Sequence, residues 1–347
     1  MSLRIPPPAL FLAALFVASA LPAALPLYLQ LRAIAAEAPA GGEPIAVYAH
    51  QIPLFPDEPD RKAAGKLTYL GGIVLTSSDP RFGGYSGLIV SPDGETFLAQ
   101  SDRAYWFAGN FTQAGGHVTG VKDTMLAPML DQDGKQLTSP YFDSESIAAI
   151  GVFPDADILV GFESRDRVDR YAIARDGFNA RAQPVAMPAD IKNNLPNKGL
   201  EGLVLLADGR LLAVDEETLD EAGNAKAWIV PLDGSAPSTL SVRREAPYDV
   251  TDLTRLPNGD ILMLERRYTP ISGPGMRIRR VAKDTIKPGA TLDGEVLIEL
   301  GVSSSIDNME GIAARAAPDG GVLIYVISDD NQSAAQRTVL LEFEMNK

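Results

Sequence analysis

The chain has 347 residues, 46% of them hydrophobic and 22% charged, with no cysteine and two histidines, His50 and His117. Forty-five acidic against 31 basic residues leave a formal charge of −14, which speaks against a nucleic-acid partner, since phosphate backbones are bound by basic patches. With no thiol and so few imidazoles, disulfides, thiolate nucleophiles, cysteine-held metals and multi-histidine sites are excluded or disfavoured, and chemistry falls to carboxylates, Arg, Lys, Ser, Asn or a metal held by oxygen.

At the N-terminus, Arg4 precedes an apolar stretch from Ala9 to about Leu31, broken by Pro22 and Pro26 and followed by the small residues Ala33–Ala36. A basic start, an apolar middle and a small-residue exit are the parts of a secretory signal, and the run is also long enough to serve as a membrane anchor. Residues 1–35 therefore read as a signal peptide or N-terminal anchor of an exported protein, periplasmic or extracellular. Contact with a membrane is expected only through this segment, if it is retained. Residues 36–60, rich in Pro, Ala and acids, read as a linker with an entering strand near Ile45–Tyr48.

From residue 61 to 347 the chain repeats itself. Each copy starts with a polar or acidic residue, a small residue and Leu or Ile, then turns at Pro, Asp or Asn with Gly, runs apolar, and ends in a charged cluster. The copies begin at Ser86-Gly87-Leu88, Glu145-Ser146-Ile147, Glu201-Gly202-Leu203, Thr251-Asp252-Leu253 and Glu310-Gly311-Ile312. Short apolar runs joined by Asp-Gly or Asn-Gly are hairpins, and a period of about 50–60 residues suits propeller blades of four strands. The pattern predicts an all-β chain forming a single β-propeller. The unassigned strands near Ile45–Tyr48 and Leu67–Thr76 favour six blades, with five or seven also compatible.

In each hairpin the first residue of one strand and the charged cluster ending the next lie at the same end, so the clusters converge on one mouth. Glu145, Glu201, Glu310, Asp102, Glu163, Asp215, Glu216, Asp252, Glu265, Asp329 and Asp330 are expected there, with Arg103, Arg165, Arg266 and Arg267. So many like charges in a low-dielectric channel demand neutralisation: arginines pair with them, some serve as blade-to-blade hydrogen-bond acceptors, or a hard cation sits among them. Calcium, which takes six to eight oxygen ligands in flexible geometry, is the expected ion.

These segments resemble the exported phytase-like propeller family described as having "esterase-like activity of phytase". The resemblance is carried by Gly83-Gly84-Tyr85-Ser86-Gly87-Leu88 with Ser101-Asp102-Arg103, by Asp143-Ser144-Glu145-Ser146-Ile147, and by Phe162-Glu163-Ser164-Arg165. Pro196-Asn197-Lys198-Gly199-Leu200-Glu201-Gly202, Leu264-Glu265-Arg266-Arg267-Tyr268, Asp307-Asn308-Met309-Glu310-Gly311 and Ser328-Asp329-Asp330-Asn331 continue it. It spans about Leu67 to Phe343 and implies a propeller with phosphoester or ester hydrolase activity.

From the chemistry of the residues themselves, candidate metal ligands are Glu145, Glu201, Asp307, Asn308, Glu310 and Asp329. Candidate substrate-binding residues are Arg103, Arg165, Lys198, Arg266 and Arg267, and candidate general bases are Asp102, Glu163 and Glu216. The expected substrate is a small anionic or ester compound, handled by a monomer. A serine esterase fits less well, because Ser86 lies outside a Gly-x-Ser-x-Gly elbow and neither histidine falls on a mouth motif. The loop Tyr268–Gly275 is expected to rim a pocket. The competing class is a non-catalytic propeller that binds an extracytoplasmic ligand or protein at the same mouth.

Overall fold

The structure, a computed structural model, describes residues 41–191, 199–269 and 271–345. The signal or anchor segment expected at residues 1–35 lies outside the described residues. Among those described, no helix is long and apolar enough to cross a membrane.

Each copy of the repeat becomes the two innermost strands of an antiparallel sheet. Blade 1 runs outward from Tyr85–Val90 through Thr96–Ser101 and Tyr105–Ala114 to His117–Pro128. Blade 2 holds Ser144–Ile150, Asp157–Phe162, Arg167–Tyr171 and the short edge Gln183–Pro184. Blade 3 is Leu200–Leu205, Leu211–Leu219, Ala225–Val230 and Ser238–Val242, and blade 4 is Asp249–Arg255, Ile261–Thr269, Gly273–Val281 and Glu295–Leu300. Blade 5 takes Asn308–Ala316, Val322–Asp329 and Thr338–Met345 from the end of the chain and Leu67–Thr76 from its beginning. The five inner strands neighbour one another in a closed ring, blade 5 returning to blade 1.

The described residues thus form five blades, not six. The strand counted toward a sixth, Leu67–Thr76, pairs with Thr338–Glu344 and closes the ring by joining the two ends of the chain in one sheet. The segment before it splits: Glu43–Pro44 adds to the outer edge of blade 1 and Tyr48–Gln51 to that of blade 5.

Because blades are sandwiched face to face, their second strands are covered on both sides and carry short apolar runs, as at Ile261–Leu264, rather than strict alternation. Every residue of Thr96–Ser101 is buried. Trp106 and Trp228 pack between blades, Trp106 beside Ile158 and Tyr171 of blade 2, Trp228 beside Leu159 and Val168 of the same blade. The small residue of the repeat has a steric cause. A Cβ on Gly311 would stand 2.9 Å from the backbone of Gly87, so the inner strands of blades 5 and 1 approach as closely as they do only with glycine there.

Candidate active site

The first residue of every repeat occupies a β-bulge. Strand pairing skips Ser86, Glu145, Glu201, Thr251 and Glu310 in turn, their neighbours on either side being paired. A bulge leaves its extra residue out of the ladder and re-aims its side chain. Three of the five are glutamates, and Glu145, Glu201 and Glu310 line one cavity of about 1140 Å³ at the mouth. The second tier comes from the ends of the second strands: Asp102, Glu163 and Asp329 line the same cavity, with Asp307, Asn308, Arg266 and Arg267. Asp143, which no repeat position marks, lines it as well. It sits two residues before Glu145, and its carbonyl and carboxylate accept from the Glu163 N–H (2.8 Å) and Ser164 Oγ (2.7 Å), fixing the turn that carries Glu163.

Glu163, Glu201 and Glu216 form the tightest group. Each offers a carboxylate oxygen, and these oxygens all lie within 4.8 Å of one another. Glu163 is only 3% exposed, and its Oε1 is buried without a hydrogen-bond partner. An unsatisfied buried carboxylate oxygen is costly. Oxygens about 2.3–2.6 Å from a calcium ion stand no more than about 5 Å apart, so this all-oxygen set fits a hard divalent cation.

The ionisation of the ring reflects the same crowding. Burial, together with the carboxylates around it, pushes Glu163 up to about 7 and Glu310 up to about 8. For Glu145 and Glu201 burial is again the first cause and neighbouring glutamates the second, and both are held well above the usual range. Asp102 rises to about 7 through burial and the nearby Asp329 and Asp143, and its Oδ1 is also buried and unpartnered. Asp329 is raised to about 6, mainly by burial, while the Asn331 N–H donates to it at 2.6 Å.

One guanidinium stands inside this ring. Arg266 Nε lies 2.8 Å from Glu310 Oε1, but its N–H is not aligned on that oxygen and makes no hydrogen bond, so the contact is a charge pair. The negative field of Glu310, Glu201, Glu216 and Glu145 holds its proton more firmly than usual. Arg267 is committed elsewhere, with Nε on Tyr248 Oη (3.0 Å) and Nη1 on Ser272 Oγ (2.8 Å). Asp307 accepts from the Arg337 N–H (3.2 Å) and Nε (3.4 Å), and Asn308 Nδ2 donates to Glu310 Oε1 (2.7 Å).

The remaining expected residues fall outside the cavity lining. Arg103 reaches the Pro80 carbonyl at 3.1 Å. Arg165 is exposed, and Lys198 lies outside the described residues. Several acids expected at the mouth serve the fold instead. The carboxylate of Asp252 accepts from the Leu253 N–H and, across to blade 5, from the Ile312 N–H (2.8 Å). Asp330 accepts from the Gly84 N–H of blade 1 (3.1 Å) and Thr338 Oγ1 (2.9 Å). Asp215 accepts from the Thr218 N–H (2.7 Å), and Glu265 is bound between Arg277 and Arg279. Ser86 and His117 occupy opposite edges of the core of blade 1, so no Ser–His pair forms. The loop expected as a rim does contribute, through Tyr268, Pro274 and Gly275. A second cavity, of about 570 Å³ beside Leu137, Val168 and Met187, shares no lining residue with the mouth.

Fold and site together define a five-bladed propeller with a carboxylate-lined mouth able to hold a metal ion. Residues 80–332 match the phytase-like family, "Esterase-like activity of phytase", and the chain belongs to that family. No curated protein matches it. Among solved structures it is similar to a gluconolactonase from Xanthomonas campestris, 13% identical over 87% of this chain and 99% of that one, with a TM-score of 0.40. An α-L-arabinofuranosidase from Podospora anserina in complex with cellotriose is 12% identical over 82% of this chain and 98% of its own, with a TM-score of 0.47.

Proposed function

We propose that this protein is an exported, monomeric, calcium-dependent hydrolase of small phosphoesters or related esters, working at the mouth of the propeller. The observation that carries the reading is the buried, unpartnered Glu163 oxygen in a trio with Glu201 and Glu216, of which Glu163 and Glu201 line a cavity that also holds Asp102 and Arg266. A purely structural ring would have its carboxylates paired off, as those of Asp252 and Glu265 are.

When bound, calcium would neutralise the trio and polarise a phosphoryl or carbonyl oxygen. Arg266, which lines the cavity and whose Nε makes no hydrogen bond, would hold an anionic oxygen of the substrate and the charge that grows on it in the transition state. Asp102 stands outside the trio, lines the cavity and ionises near neutrality, which suits a general base. It takes a proton from the attacking water as the new P–O or C–O bond forms; the bond to the leaving oxygen breaks, and that oxygen is protonated as the alcohol departs.

The test is turnover of p-nitrophenyl phosphate and p-nitrophenyl acetate by the purified chain, with calcium and with a chelator. Calcium-dependent release from at least one is expected, rising with pH through about 7 as Asp102 loses its proton. Asp102→Asn should slow it by roughly 10²–10⁴-fold and remove that rise. A folded, calcium-loaded protein inert toward both would overturn the reading in favour of a binding propeller.

A further inference from the structure

Beside the mouth cavity stands an apolar lip. The hairpin of blade 4 joins Ile261–Thr269 to Gly273–Val281, with Tyr268 opposite Pro274, and both of these residues line the cavity. Its tip is held by its own polar atoms: the Ser272 N–H donates to Thr269 Oγ1 (3.0 Å), and Arg267 Nη1 donates to Ser272 Oγ (2.8 Å). On this hairpin Ile271 is 99% exposed and Tyr268 71%, and Val302 is 69% exposed. Val302 stands against the base of the hairpin, 2.7 Å from where a Cβ on Gly273 would lie. On the cavity wall contributed by the segment before blade 2, Phe142 adds an aromatic ring.

Single exposed apolar residues are ordinary, but a group of them on a hairpin that lines a polar cavity marks a recognition surface. The cationic side of recognition is sparse by contrast. Arg266 and Arg267 are the guanidiniums among the described lining residues, and Arg267 is engaged by the hairpin itself.

We infer that the substrate carries an apolar group next to its anionic or ester group, and that this group seats on the lip formed by Tyr268, Ile271 and Val302. The inference rests on the proposed hydrolase reading and names its substrate class: an amphiphilic ester rather than one bearing many charges. The occupant is assigned to the substrate because Tyr268 and Pro274 of the same hairpin line the cavity in which the ester would bind.

Calorimetric titration of the full calcium-loaded chain with methyl phosphate and hexyl phosphate tests it without requiring turnover. Hexyl phosphate should bind about tenfold more tightly, since burying its methylenes is favourable. The double variant Ile271→Ser, Val302→Ser should lose that increment while still binding methyl phosphate, and Glu201→Gln should lose both ligands. Equal affinity for the two phosphates, or an increment that survives in the double variant, would overturn the inference and leave the hydrolase reading standing. Failure of both to bind would remove the phosphoester reading and the lip's substrate with it. Ile271-dependent binding to phosphatidylcholine vesicles, with no alkyl increment, would assign the lip to a bilayer surface instead.

Discussion

Glu163 and Glu265 are buried acids of the charged clusters of blades 2 and 4, one residue apart in repeat register, Glu265 standing where blade 2 has Phe162, and they meet opposite fates. Glu265, 1% exposed, is held by Arg277 Nε (2.6 Å) and Arg279 Nε (2.9 Å), both buried. Those arginines lie two residues apart on the third strand of blade 4, with Arg277 directly opposite Glu265, so both project from one face onto the carboxylate. In blade 2 the arginine of the third strand, Arg167, pairs with Asp169 (2.8 Å) and stacks 3.8 Å from the Phe162 ring centroid. Glu163 is left with a buried oxygen that no donor reaches. Burial alone therefore does not distinguish a structural acid from a chemical one; the neighbouring strand decides it by supplying or withholding a cation.

The largest expected effect breaks the unpaired side. Glu163→Gln should reduce calcium-stimulated turnover by on the order of 10²-fold or more, measured as kcat/KM, while the fold survives, because removing one of several crowded carboxylates relieves repulsion. The mirror experiment is Glu265→Ala. It leaves two buried guanidiniums short of a partner and should cost about 3–5 kcal/mol of stability, read as a fall in Tm of about 10 °C, with calcium affinity retained. Should Glu163→Gln destabilise as much as Glu265→Ala, the distinction between the two acids would collapse.

A smaller effect follows from the raised carboxylates. In metal-free protein the folded state keeps protons on Glu163 and Glu310 up to about pH 7 and 8, whereas an unfolded chain releases them near pH 4. Between those limits the folded state binds more protons, so stability falls as pH rises. Thermal melts should show a lower Tm at pH 8 than at pH 5. Calcium at about 100 times its Kd should restore about 2.7 kcal/mol, and more of the gain should appear at pH 8. Smallest is Arg167→Ala, expected to cost about 2 kcal/mol through its ring contact and the donor it takes from the buried Asp169, without changing calcium binding.

Much of this was legible in the sequence, because the repeat is itself a structural rule. The positions read as repeat starts, Ser86 through Glu310, are the five bulges of the inner strands, and the convergence of Glu145, Glu201 and Glu310 follows from hairpin geometry. The blade count was overestimated because a strand at the start of the chain, Leu67–Thr76, carries no mark that it completes the last sheet. The partners of Glu265 were hidden for a related reason. Arg277 and Arg279 lie a strand away from the charged cluster, and only the pairing register brings them back. Asp143 lies two residues before the repeat position Glu145, so its place in the cavity depends on the turn it stabilises.

Calcium titration of metal-free protein at pH 8, followed by calorimetry on the wild type, Glu201→Gln and Glu265→Gln, tests the central claim most directly. Saturable binding by the wild type and by Glu265→Gln, lost in Glu201→Gln, is the predicted result. A folded wild type that takes up no calcium, or a Glu201→Gln variant that binds it unchanged, would contradict the assignment of Glu163, Glu201 and Glu216 to a metal.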